Sequence, residues 1–169
     1  MSEAIFARIR RMHDTPHMQN SLRGQWVEAM IAEILGTGWR HTGGDWAAWD
    51  FERDDGLRLE VKQSAQGQSW GRSTSSPRFG ISAAQGHYPD GKTYLPNASG
   101  ARLADIYVFA WHEGEDERET SQWQFYVIRA NRLPTGQKTI GLRAVQRLAS
   151  AVHADQLLNE IESLGRRSN

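Results

Sequence analysis

The chain of 169 residues contains no cysteine, so it can form neither a disulfide nor a cysteine-based zinc centre. It also carries no net charge, with 20 lysines and arginines against 20 acids. Proteins that coat nucleic acid are usually basic overall, so any such contact here would have to come from a local patch. No run is long and apolar enough to span a membrane. The opening residues Met1 to Arg8 lack the basic region and apolar run of a signal peptide. These absences predict a cytoplasmic protein with no membrane partner. Composition is otherwise that of one ordinary globular domain spanning residues 1–169, with seven tryptophans, some of which must serve a core.

One stretch has a strong pattern. From Ala47 to Lys62 the residues alternate, with Ala47, Trp49, Phe51, Leu57, Leu59 and Val61 apolar and Ala48, Asp50, Glu52, Arg58, Glu60 and Lys62 between them. Period-two alternation marks half-buried strands, and two such arms around Asp54-Asp55-Gly56 mark a hairpin. A two-residue loop would set Asp50 opposite Val61 and mix the two faces. A three-residue loop, with Gly56 in the left-handed conformation, keeps the faces separate. It places Glu52 opposite Arg58, which neutralises it, and Asp50 opposite Glu60. Carboxylates so placed, with Cβ atoms roughly 5 Å apart, repel unless a cation lies between them. Mg²⁺ takes one or two protein carboxylates and keeps its other positions for water and phosphate oxygens. Lys62 shares that face, two residues past Glu60.

Trp49-Asp50, followed by Glu60-Val61-Lys62 on a hairpin, resembles the motif of the PD-(D/E)XK nuclease superfamily, with Trp49 where a proline often stands. The resemblance implies an Mg²⁺-dependent (or Mn²⁺-dependent) nuclease that hydrolyses phosphodiester bonds of nucleic acid, DNA first. It implies that Asp50, Glu60 and the Val61 backbone carbonyl ligate the metal and that Lys62 positions or activates the attacking water. A glutamate on the preceding helix often completes such a site; Glu28 is the candidate and Glu33 the reserve. Many relatives act as dimers, so the resemblance extends to a homodimer, and to roles in restriction, repair or phage defence.

Before the hairpin, Ile5, Phe6, Ile9 and Met12 form a helical stripe with arginines off it, and a buried helix runs from about Ser21 to Leu35, stopped by Gly36. Asp45 lies in the glycine-rich connection that follows and reads as a turn residue. After the hairpin, residues 63–103 hold six glycines, seven serines, four basic residues and one acid. Such a long polar loop is uncommon in a compact domain and often functional. Arg72, Arg78 and Lys92 are its expected phosphate contacts, and Trp70, Phe79, Tyr88 and Tyr94 could stack on exposed bases.

Residues 104–111 read as a central strand buried on both faces, and Gln122 to Arg129 as another. His112 to Thr120, with five acids and one arginine, reads as a solvated connection. C-terminal helices are expected within 143–164. The sum is an α+β class: a restriction-endonuclease-like mixed sheet flanked by helices, its core at about residues 20–130, with a long loop inserted after the motif hairpin. Two other readings use the same residues. One is a nuclease-like module that binds nucleic acid or protein without cutting. The other is a metal-independent hydrolase using two carboxylates as acid and base.

Overall fold

The computed structural model describes residues 1–42, 47–68, 71–72, 76–89 and 92–166. Its centre is the expected hairpin. Strand β2 (Phe51–Arg53) pairs with β3 (Arg58–Ala65), with Phe51 facing Leu59 and Glu52 facing Arg58. Gly56 sits at φ +85°, the Arg53 N–H donates to the Leu57 carbonyl at 2.8 Å, and the Gly56 N–H donates to the Arg53 carbonyl at 2.8 Å. This is the three-residue loop, in the register that keeps the two faces apart.

The outer arm is shorter than the alternation suggests. Residues 48–50 form a bend rather than strand, and Ala47 is exposed. At the bend the Asp50 N–H reaches the Leu59 carbonyl at 2.9 Å, and the Val61 N–H turns to the Asp50 carboxylate at 2.6 Å. Parity is lost there, as at a bulge. Trp49 therefore leaves the face of Phe51 and packs on the opposite side of the sheet, with the Arg58 guanidinium 3.9 Å above its ring. Glu52, expected to pair with Arg58, instead accepts the Trp49 indole N–H at 2.9 Å and lies 3.6 Å from Arg40.

Around the hairpin, β1 (Trp39–His41) pairs antiparallel with β2, and β4 (Ile106–His112) lies parallel to β3. Strand β5 (Trp123–Arg129) closes the sheet antiparallel to β4, giving the order β1-β2-β3-β4-β5. The protein is thus α+β, with a mixed five-stranded sheet flanked by helices.

Each face of the sheet has its own core. On one, α2 (Asn20–Leu35) and α4 (Ala154–Gly165) bury Val27, Ile31, Leu157 and Ile161 against Phe51, Leu59, Val61, Val108 and Phe125. Gly36, at φ +64°, ends α2 where a side chain would be strained. On the other face, Phe79, Ile81, Ile140 and Val145 cover Tyr107, Phe109, Trp111, Tyr126 and Ile128. The cover comes from the short strands Arg78–Gly80 and Thr139–Gly141, which pair with each other, and from α3 (Leu142–Leu148). All seven residues of β4 are buried, as a strand between two cores requires. Each large apolar side chain so enclosed contributes roughly 1.5–3 kcal/mol.

Residues 63–103 are less structureless than composition suggests. Strand β3 continues to Ala65, and short pairs join Gly67–Gln68 to Gly71–Arg72 and Gly86–His87 to Leu95–Pro96. Phe79, read as a stacking residue, is 2% exposed and belongs to the second core.

The 112–120 connection is not wholly solvated either. Glu117 is fully buried and meets buried Arg23 of α2 at 2.9 Å, while also accepting the Met18 N–H at 2.9 Å. Acid count along the chain hid this pair, because a buried charge is tolerated only beside its partner. The first helix, α1 (Ser2–His13), leaves Ile5, Phe6 and Ile9 of its stripe exposed. Among the described residues no helix is long and apolar enough to cross a membrane.

Candidate functional site

The bend before β2 and the middle of β3 bring Asp50, Glu60 and Lys62 together. In the regular ladder Glu60 and Lys62 project to the second face of the sheet, beside Tyr107 and Phe109 of the parallel neighbour. Asp50 stands where β2 breaks. Its backbone carbonyl accepts the Thr42 N–H at 2.8 Å, and its carboxylate takes the Val61 N–H that the broken ladder leaves over. The acid is therefore fixed by backbone on both strands rather than by another side chain.

The electrostatics follow from this placement. Burial, and then the nearby charge of Glu60, push the Asp50 carboxyl up to about 7 from its ordinary 3.8, although the Val61 N–H and Lys62 oppose the rise. Burial also raises Glu60, against the pull of Lys62. The Lys62 ammonium forms an ion pair with the Glu60 carboxylate. One cation thus serves two carboxylates, and the deficit falls on Asp50.

Glu28 of α2 is close enough for its charge to raise both Asp50 and Glu60. Its own carboxylate lies 3.1 Å from the His41 ring nitrogen of β1. Glu33 is exposed and is not among the groups that perturb the pair. The structure therefore brings Glu28, and not Glu33, towards the hairpin acids. Asp45 and Trp70 lie outside the described residues.

The expected phosphate contacts are more scattered. Arg78 is exposed and reaches the Thr139 hydroxyl at 3.4 Å, on a short strand that packs near β3. Lys92 is exposed, beyond the Gly86–His87 strand. Arg72 lies in a two-residue strand, and its side chain is outside the described residues. Tyr88 and Tyr94 pack on each other with ring centroids 5.2 Å apart, and Tyr94 is 46% exposed.

Two neighbours of the site escaped the sequence reading. His41, on β1, lies against Glu28. Tyr107 looked like plain core, yet its hydroxyl is pushed up to about 12 by burial, with Glu60 adding to the rise and Arg102 opposing it. Both depend on strand register across the sheet, which local alternation does not encode.

The carboxylates brought together at the hairpin, Asp50 and Glu60, offer hard oxygens. Among the described residues, no group of three or more histidines and acids is gathered as a metal cage. Mg²⁺ does not require one, since it usually binds through one or two carboxylates and retains several waters. A pair of half-buried carboxylates short of positive charge fits such an ion chemically. No protein-family model matches the chain, and no curated protein does either. Fold and site together define an α+β protein with a mixed five-stranded sheet, carrying a carboxylate pair and a lysine at its central hairpin.

Proposed function

We propose that the protein is a metal-dependent nuclease with a restriction-endonuclease-like core, hydrolysing phosphodiester bonds of nucleic acid, DNA first, in a cytoplasmic setting. One observation carries this reading: two half-buried carboxylates, Asp50 and Glu60, share a single lysine and are both held above their ordinary range. A bound Mg²⁺ or Mn²⁺ would neutralise that excess, polarise the phosphate and make water acidic enough to supply hydroxide near neutral pH. Asp50 and Glu60 would hold it, with the Val61 carbonyl as a further donor.

The chain's own residues divide the remaining work. Val61 N–H keeps Asp50 pointed at the site. Lys62 neutralises Glu60 at rest; beside a phosphate it orients the attacking water and offsets the negative charge that develops on phosphorus oxygens. Glu28, in contact with His41, would complete the metal site as a third carboxylate.

A second reading also has support. The Glu60–Lys62 and Glu28–His41 contacts partly compensate these charges without any ion, which suits a nuclease-like module that binds and does not cut. Incubation with plasmid, linear DNA, single-stranded DNA and RNA separates the two. The nuclease reading expects cleavage with Mg²⁺ or Mn²⁺ that chelator abolishes and that Lys62→Ala loses by at least about 100-fold. Substrate binding without cleavage, unaffected by chelator and by Lys62→Ala, would replace it with the binding module.

A further inference from the structure

Away from the carboxylate pair, a cavity of about 700 Å³ opens at the end of the sheet where β4 begins and β5 ends. Among the described residues its wall carries three cations, Arg102, Arg129 and Lys138, and one acid, Asp105. That excess is notable in a chain with no net charge. Asp105 is already engaged, accepting the Arg58 N–H at 2.9 Å.

Among the described residues the arginines are held by backbone rather than by acids. Arg102 donates to the Ile81 carbonyl at 3.0 Å and to the Pro134 carbonyl at 2.7 Å. Arg129 donates to the Arg166 carbonyl at 3.3 Å. A carbonyl fixes a guanidinium without neutralising it, and each guanidinium has five donors, so charge and hydrogen-bonding capacity remain for a ligand. Both side chains are half-buried. Preorganised, partly desolvated arginines favour planar or tetrahedral oxyanions, phosphate above all.

We propose that this cavity is a second binding site, for a phosphorylated nucleoside, either free or as the end of a strand. The volume lies in the range of small-molecule sites and far exceeds the needs of an inorganic ion. Asn131 and Gln137 supply amides able to read a base or sugar edge, and Ile81 and Leu133 supply apolar wall for a flat ring. The site does not depend on the pair being catalytic.

The test is calorimetric titration of the full chain in chelator. The probes are nucleoside monophosphates, the matching nucleosides, inorganic phosphate, and a dinucleotide with and without a 5′-phosphate. The proteins are wild type, Asp50→Asn, and the double variant Arg129→Gln with Lys138→Gln, each checked for folding by its thermal melt. Saturable monophosphate binding is expected. It should weaken at least about tenfold without the phosphate and at least about tenfold in the double variant, since each charged hydrogen bond is a large fraction of a small ligand's affinity. Asp50→Asn should bind like wild type. A phosphorylated dinucleotide that binds as well as the monophosphate identifies a strand end, and one that is excluded identifies a free nucleotide. No saturable binding by wild type, equal binding by the folded double variant, or phosphate alone binding as tightly as the nucleotide would overturn the assignment.

Discussion

The Asp50 carboxylate accepts the Val61 backbone N–H at 2.6 Å, across the break in the hairpin. One short bond thereby anchors an acid next to Glu60 and keeps it inside the protein. The cost is visible in its titration. An aspartate with one good backbone donor would ordinarily sit below its solution value, yet burial and Glu60 lift this one to about 7.

Stability should therefore depend on pH through this group. A folded-state value above the unfolded one means that the contribution is complete below about pH 4 and is lost as pH rises through about 7, because ionised Asp50 is worse off folded than unfolded. The loss is at most roughly 4 kcal/mol, at about 1.4 kcal/mol per unit. Asp50→Asn should remove this pH dependence and gain clearly more over wild type at pH 8 than at pH 5, where only about a third of the loss has built up. Urea denaturation at the two pH values measures both effects.

Removing Glu117 should be severe. Glu117→Ala removes the carboxylate that the buried Arg23 guanidinium meets at 2.9 Å, and breaking a buried ion pair from one side costs about 3–5 kcal/mol. Replacing both partners, Arg23→Met with Glu117→Leu, should recover most of that loss. Chemical denaturation of the single and double variants distinguishes a charge penalty from simple misfolding.

The hairpin turn gives a cleaner test of register. Gly56 at φ +85° has open space where a Cβ would point, so Gly56→Ala introduces backbone strain and no clash. The expected cost is roughly 1–2 kcal/mol. A neutral or stabilising substitution, read by thermal melting, would mean that the loop is not the one described.

Much of this was legible in the sequence, and the misses have a common origin. Alternation and Asp54-Asp55-Gly56 suffice for the hairpin, its register and the facing of Phe51 with Leu59. The same alternation put Trp49 on the wrong face, because a single bulge-like break at Asp50 is invisible in a period-two pattern. Buried His112, read with the solvated connection, ends β4, whereas the burial of Ile106 to Trp111 in the same strand followed from their apolar run. The Arg23–Glu117 pair, the His41–Glu28 contact and the closeness of Tyr107 to Glu60 did not, since each joins residues from separate elements. Only sheet order and helix packing bring such groups together. Phe79 failed for a related reason: a lone aromatic in a polar loop looks solvent-facing until the loop folds back as a lid on the sheet.

The two candidate helix acids should differ in the assay. Glu28→Gln, beside the pair, should slow metal-dependent cleavage by about 10- to 100-fold, the range for residues that support a metal site from outside it. Glu33→Gln, on the exposed face of α2, should leave the rate unchanged. Equal losses in the two variants would mean that Glu28 acts only through helix stability.

The most direct measurement is calorimetric titration of Mg²⁺ into wild type and Glu60→Gln at pH 8 and at pH 5.5. If Asp50 and Glu60 form a cation site, wild type binds one ion at pH 8 and binds it more weakly at pH 5.5, where protons compete for Asp50. Glu60→Gln should lose that binding at both pH values. No binding by wild type at pH 8, or equal binding by Glu60→Gln, would contradict a metal site at this hairpin.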